Sequence, residues 1–125
     1  MEETFELDCR MIFKKSLQLM GIKVNKSTIY ELLILNPLYP SLAGFADTYT
    51  KLNISNKAFT IKDKSKINEL TAPFLAFMKI NYGSFVLVTG IQKDKSVTYY
   101  TGTGGFVTVS IDDFIDNWSG ALLFS

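Results

Sequence analysis

Apolar side chains recur at helical spacing in the first part of the chain and then crowd into short runs. Phe13, Leu17 and Met20 fall at i, i+4 and i+7, with Cys9 and Ile12 flanking the same face. The pattern predicts a first helix from Asp8 to Met20, with the Asp8 carboxylate as N-cap and Gly21 as C-cap. Thr28 and Glu31 have the spacing of a capping box. A second helix is therefore expected from Ser27 or Thr28, carrying Ile29, Leu32, Leu33 and Leu35 and ending before Pro37. A third starts at Ser41, with Leu42, Phe45, Ala46, Tyr49 and Leu52 as its apolar stripe.

Beyond Asn53 the period changes. Lys57–Ile61 reads as a short strand, and the polar stretch Lys62–Leu70 as room for one helical turn. Phe74–Ile80, Phe85–Ile91, Val97–Thr101 and Phe106–Val109 are rich in Val, Tyr, Phe and Thr and read as strands. Asn81-Tyr82-Gly83 and Lys93-Asp94-Lys95 supply turns. Ser110 opens a last short helix, in which Phe114 and Trp118 face inward, and Ala121–Phe124 closes the sheet. Helices followed by a β-meander define an α+β fold: helices packed on a C-terminal antiparallel sheet in one domain over residues 1–125.

Composition narrows the chemistry. The 125 residues include no His and one Cys. Histidine-dependent nucleophile pairs, His-ligated zinc and an internal disulfide framework are therefore excluded. No metal or cofactor is expected. The net charge of +1 is spread evenly, so nucleic acid is not expected as a partner. The longest apolar runs, such as Leu32–Leu35 and Phe85–Val88, fall far short of a membrane span, and the acidic N-terminus MEETFELDCR lacks a signal-peptide core. This segment is not expected to insert in a membrane. A chain stopping on its last strand reads as a domain cut from a longer protein.

Three features invite a chemical reading. Thr101-Gly-Thr-Gly-Gly105 is glycine-rich, but it joins two strands and lacks a following Lys-Ser/Thr, so it reads as a hairpin turn. Asp112, Asp113 and Asp116 cluster at the last helix, where the first two suit the helix dipole. Cys9 falls at the expected start of the first helix, a position that favours a thiolate, yet no His is available to take its proton.

The order of these elements, with Tyr39-Pro-Ser-Leu42, Ser84-Phe-Val-Leu-Val88, Val97-Thr-Tyr-Tyr-Thr-Gly102, Ser110-Ile-Asp-Asp-Phe114 and Trp118-Ser-Gly120, resembles a known family. It is the bacteriocin-processing cysteine peptidase domain found at the N-terminus of peptide-exporting ABC transporters, whose fold is papain-like. Asn36-Pro-Leu-Tyr-Pro-Ser-Leu42 is similar to the subset that precedes a vitamin K epoxide reductase-like membrane domain. The resemblance implies a nucleophilic Cys opening the first helix, a His before the Phe-Val strand and an Asp one strand later. Here the His position holds Ser84 and the Asp position holds Thr101. Counting back from Gly21 puts Asp8 at the nucleophile position; a one-residue deletion would put Cys9 there.

These departures lead to the expectation of a domain that is not an enzyme: a degenerate peptidase-like module, with Cys9, Ser84 and Thr101 at the altered positions, that binds a peptide or protein segment. The cleft expected to hold it is lined by Cys9, Tyr39, Tyr82, Ser84, Tyr100, Thr101 and Phe106. By the same resemblance the module is cytoplasmic, or tethered on the cytoplasmic side to a covalently attached membrane domain of an exporter or thiol oxidoreductase. Two alternatives stay open: disulfide exchange at Cys9, and a structural or dimerisation module.

Overall fold

The central strands carry apolar side chains on both faces, and that demands cover on both sides. The computed structural model describes residues 2–80 and 82–125, and of Glu2 only the backbone. Helix α1 spans Glu2–Leu19. Helix α2, Lys26–Ile29, runs on as a π-helical turn over Tyr30–Ile34. Helix α3 spans Leu42–Lys51, with the Ser41 side chain accepting from the Gly44 N–H. The strands are β1 (Lys57–Thr60), β2 (Phe74–Met78), β3 (Ser84–Gln92), β4 (Ser96–Tyr100), β5 (Phe106–Ser110) and β6 (Trp118–Phe124). A 3-10 segment, Lys64–Glu69, follows β1, and helix α4, Ile111–Asn117, precedes β6.

The six strands form one antiparallel sheet in the order β1-β6-β2-β3-β4-β5. Strands β2 to β5 are the expected meander. β6 returns between β1 and β2, pairing Leu122 with Ala76 and with Phe59. Alternation sorts the side chains between two cores. Leu75, Phe85, Leu87, Tyr100 and Leu123 join Phe13, Leu17, Leu33 and Phe45 beneath α1–α3. Phe74, Ala76, Val86, Val88, Val97 and Leu122 join Ile67, Phe114 and Trp118 beneath the 3-10 segment and α4. Two polar ties fix the helical layer. Thr48 Oγ1 donates to the Leu32 carbonyl at 2.8 Å, and Asn36 Nδ2 to Asp47 Oδ2 at 2.7 Å. Among the described residues, no helix is long and apolar enough to cross a membrane.

Several boundaries differ from those the periodicity predicts. α1 begins six residues before Asp8, because Phe5 packs its ring against Tyr39 and Phe85 and draws the acidic N-terminal turn onto the sheet. Asp8 is thus inside the helix and is not its N-cap, and Cys9 is not at a helix N-terminus. The cap of α2 is Asn25, whose Oδ1 accepts from the Thr28 N–H at 2.8 Å. Trp118 opens β6 and does not end the last helix; its Nε1 donates to the Ala121 carbonyl at 3.0 Å. The expected turn at Asn81-Tyr82-Gly83 has its first residue outside the described residues.

Candidate functional site

Successive residues of an α-helix point about 100° apart, so one helix can serve two surfaces. Phe5, Asp8, Cys9 and Ile12 of α1 lie toward the sheet; Leu7, Arg10, Met11, Lys14 and Gln18 lie on the far side. Each side borders a hollow.

The inner hollow is a cavity of about 170 Å³ between α1 and the ends of β3 and β4. Its polar groups are Asp8, Ser84 and Thr101, set beside the rings of Phe5 and Phe85, while Tyr99 borders it from a strand on whose other face the Tyr99 ring packs against Phe114. Ser84 enters as the first residue of β3, opposite Met78. Thr101 follows β4, and its Oγ1 donates to the Gly105 carbonyl at 3.0 Å. Asp8 reaches across the chain. Its Oδ1 accepts from the Thr103 N–H at 2.8 Å and from Thr103 Oγ1 at 2.7 Å. The carboxylate thereby clamps the Thr101–Gly105 loop against α1. The fit is close: a Cβ on Gly102, whose φ is +92°, would stand 2.6 Å from Asp8 Oδ1 and 2.8 Å from the Asp8 Cα. Gly102 is therefore required both by its dihedral and by the approach of the helix.

Cys9 borders this cavity from within the core. Only 1% of it is exposed, and it belongs to the apolar cluster of Phe13, Leu33 and Phe45. Burial pushes its thiol up to about 12; the Tyr39 hydroxyl beside it pulls the other way, and the Asp8 and Glu6 carboxylates add to the rise. The thiol is neutral across the physiological range.

The seven side chains assigned to one cleft by sequence divide among different surfaces. Cys9, Ser84 and Thr101 share the inner cavity. Tyr82 is fully exposed in the turn between Ile80 and Ser84, both of which line that cavity. Tyr39 lines a separate depression with Glu3, Phe5, Glu6 and Pro40. Tyr100 and Phe106 stack with centroids 5.0 Å apart beneath Lys15, and Tyr100 opens onto the far side of α1. Sequence reasoning left Asp8 out of the cleft. The spacing back from Gly21 is the signal that points to it.

The outer hollow is wider, about 530 Å³, with an apolar floor of Leu7, Met11, Ile29 and Tyr100. Its charged lining is entirely cationic: Arg10, Lys14, Lys15 and Lys26.

Solved structures share this architecture. The peptidase domain of Streptococcus ComA, a bi-functional ABC transporter involved in quorum sensing, is 18% identical over 95% of this chain and 90% of that one, with a TM-score of 0.76. A double glycine motif protease from an AMS/PCAT transporter, solved with its leader peptide, is 15% identical over 94% and 83%, with a TM-score of 0.80. The N-terminal peptidase C39-like domain of a toxin secretion ATP-binding protein from Vibrio parahaemolyticus is 14% identical over 93% of both chains, with a TM-score of 0.66. At these identities the likeness establishes the fold. None of the curated protein sequences matches the chain. The expectation of a chain that is not an enzyme is corrected here, because the similar structures are peptidase domains and the matching family model is that of a peptidase family. The missing histidine concerns which group would take a proton, and leaves the membership untouched. With residues 9–125 matched by the peptidase C39 family model, the chain belongs to that family.

Proposed function

We propose that this domain receives an extended peptide segment in the cleft between α1 and the β3–β4 face, as the peptide-handling module of a bacterial membrane exporter. The observation that carries this reading is the cavity shared by Asp8, Ser84 and Thr101, open beside the exposed ring of Tyr82. Such a cleft suits an extended chain, whose side chains enter pockets while its backbone supplies hydrogen bonds. A double glycine motif protease of the same fold has been solved with a leader peptide bound. In this reading the domain is held on the cytoplasmic side by a membrane domain, either that of an exporter or, as in the vitamin K epoxide reductase-like subset, that of a thiol oxidoreductase.

Disulfide exchange at Cys9 is disfavoured by the geometry. Attack on a disulfide needs an accessible thiolate, whereas this thiol is buried and held protonated.

Fluorescence anisotropy with labelled leader-type peptides tests the proposal. Ser84→Trp, which fills the cavity from its rim, is expected to weaken binding at least about tenfold while the circular dichroism spectrum stays that of the folded protein. Binding that survives Ser84→Trp but fails when exposed helix residues such as Leu35 are replaced would assign the domain to a structural or dimerisation role. Mass spectrometry of the same mixtures reports hydrolysis alongside binding.

A further inference from the structure

The charge of the cleft specifies more than a peptide. Among the described residues lining it, Asp8 is the one formally charged side chain; its companions are aliphatic, aromatic or hydroxyl-bearing, with the Cys9 thiol. No described cation lies within ion-pair distance of Asp8, the pair between Lys51 and Asp47 being the one among the described residues. Thr103 engages Oδ1 with neutral donors and fixes the carboxylate in place without cancelling its charge. A fixed carboxylate loses no freedom when a ligand arrives. Asp8 is half-buried and its bonds to Thr103 are open to solvent; against the protein wall it still attracts a cation more strongly than it would in bulk water.

The rest of the lining suits the same guest. Phe5 and Phe85 line the cavity on the α1 face of the sheet, their ring centroids 6.1 Å apart, and aromatic faces attract ammonium and guanidinium groups. Ser84 and Thr101 add hydroxyl oxygens able to accept from an N–H donor. At about 170 Å³ the cavity has room for one long side chain, well below the size of a drug-like ligand site. An apolar guest would strip water from the carboxylate without replacing its hydrogen bonds, and an acidic guest would be repelled.

From this arrangement we infer that the cleft selects a peptide bearing a basic side chain, lysine or arginine, whose cationic head pairs with Asp8 while its aliphatic stem lies along Phe5 and Phe85. The inference rests on the peptide-binding reading and names the chemistry of the segment bound.

The test uses labelled ten-residue peptides of one neutral host sequence that differ at a single central position, which is lysine, arginine, norleucine or glutamate. Anisotropy titrations are run on the wild-type chain and on Asp8→Asn. The asparagine keeps an oxygen to accept from Thr103, so the loop clamp survives while the charge is lost. The wild type is expected to bind the lysine and arginine peptides about tenfold more tightly than norleucine, the scale of one charge-assisted hydrogen bond, and glutamate most weakly. Asp8→Asn is expected to bring the lysine-to-norleucine ratio close to one. Should Asp8→Asn fail to fold, titration of the wild type in 50 and 500 mM NaCl serves instead, with the lysine preference expected to shrink at high salt. Measurable binding with no preference for lysine, a preference that persists in Asp8→Asn, or in its absence one insensitive to salt, would overturn the inference. Binding of none of these peptides by the wild type would overturn the peptide-binding reading itself.

Discussion

The two hollows beside α1 are made by one helix yet differ in almost every physical respect. The inner one is small, walled by the sheet and carries a single carboxylate among rings; the outer one is broad, apolar at its floor and ringed by four cations. Arg10 stands two positions after Asp8, and the roughly 200° of helix rotation between them sends the two charges to opposite surfaces. A peptide meeting this domain therefore encounters two environments of opposite sign a helix diameter apart.

The contrast can be broken most forcefully through Phe85. Its ring packs at 5.0 Å from Phe45 and 5.2 Å from Phe77, at the floor of the inner hollow. Phe85→Ala is expected to lower stability by about 3–5 kcal/mol in denaturant titration. Phe106→Ala, on the outer side and more than half exposed, is expected to cost less than about 1 kcal/mol. Equal losses from the two would show that the outer surface is packed as tightly as the inner.

A smaller effect is expected at the loop clamp. Gly102→Ala combines a positive φ with a collision against Asp8, and should destabilise by about 2–3 kcal/mol, read as a lower midpoint of unfolding. A loss well below about 1 kcal/mol would show that neither the dihedral nor the contact with Asp8 constrains this loop.

Cys9 gives a dependence on pH. Its folded value is raised from 9.0 to about 12, so the folded protein holds the proton while the unfolded chain releases it. The stability contributed is complete below about pH 9 and is lost as pH rises toward about 12, by up to about 1.4 kcal/mol per unit. Chemical denaturation at pH 8, 9 and 10 should show a shallower decline for Cys9→Ala than for the wild type. Parallel slopes would mean that the thiol titrates alike in both states. The smallest effect belongs to the outer hollow, where Lys15 Nζ lies 5.1 Å from the Tyr100 ring centroid and 5.8 Å from that of Phe106. Lys15→Met should cost about 0.5–1 kcal/mol in the same titration.

What could be read in the sequence was what local forces govern. Ser41 before an amphipathic stripe marked the start of α3, and the runs rich in Val and Phe announced β2 and β3 as strands, though not that helices cover both of their faces. The start of α1 could not be read, because the turn before Asp8 is held by Phe5 on Phe85, eighty residues away along the chain. Asp8 looked like a cap for the same reason: its true partner, Thr103, comes from the β4–β5 loop. Of the residues assigned to one cleft, Cys9, Ser84 and Thr101 border one cavity, whereas Tyr39 and Tyr100 lie on other surfaces, a division that residue types alone do not encode. Whether Tyr100 or Tyr99 faces α1 depends on strand phase. The register with β3 decides it, placing Tyr99 opposite Val88 and Tyr100 opposite Leu87.

The position of β6 between β1 and β2 has a consequence for synthesis on the ribosome. β1 is bonded to the sheet only through β6, with Thr60 opposite Ala121. Roughly sixty residues must be translated after β1 before its partner exists, about 3–12 s at ordinary elongation rates. During that interval Lys57–Thr60 lacks its native partner, while β2 to β5 can already zip as successive hairpins. The nascent chain thus exposes the flank of β2 that β6 later covers, and this flank is where a chaperone or a neighbouring nascent chain would find an open strand edge.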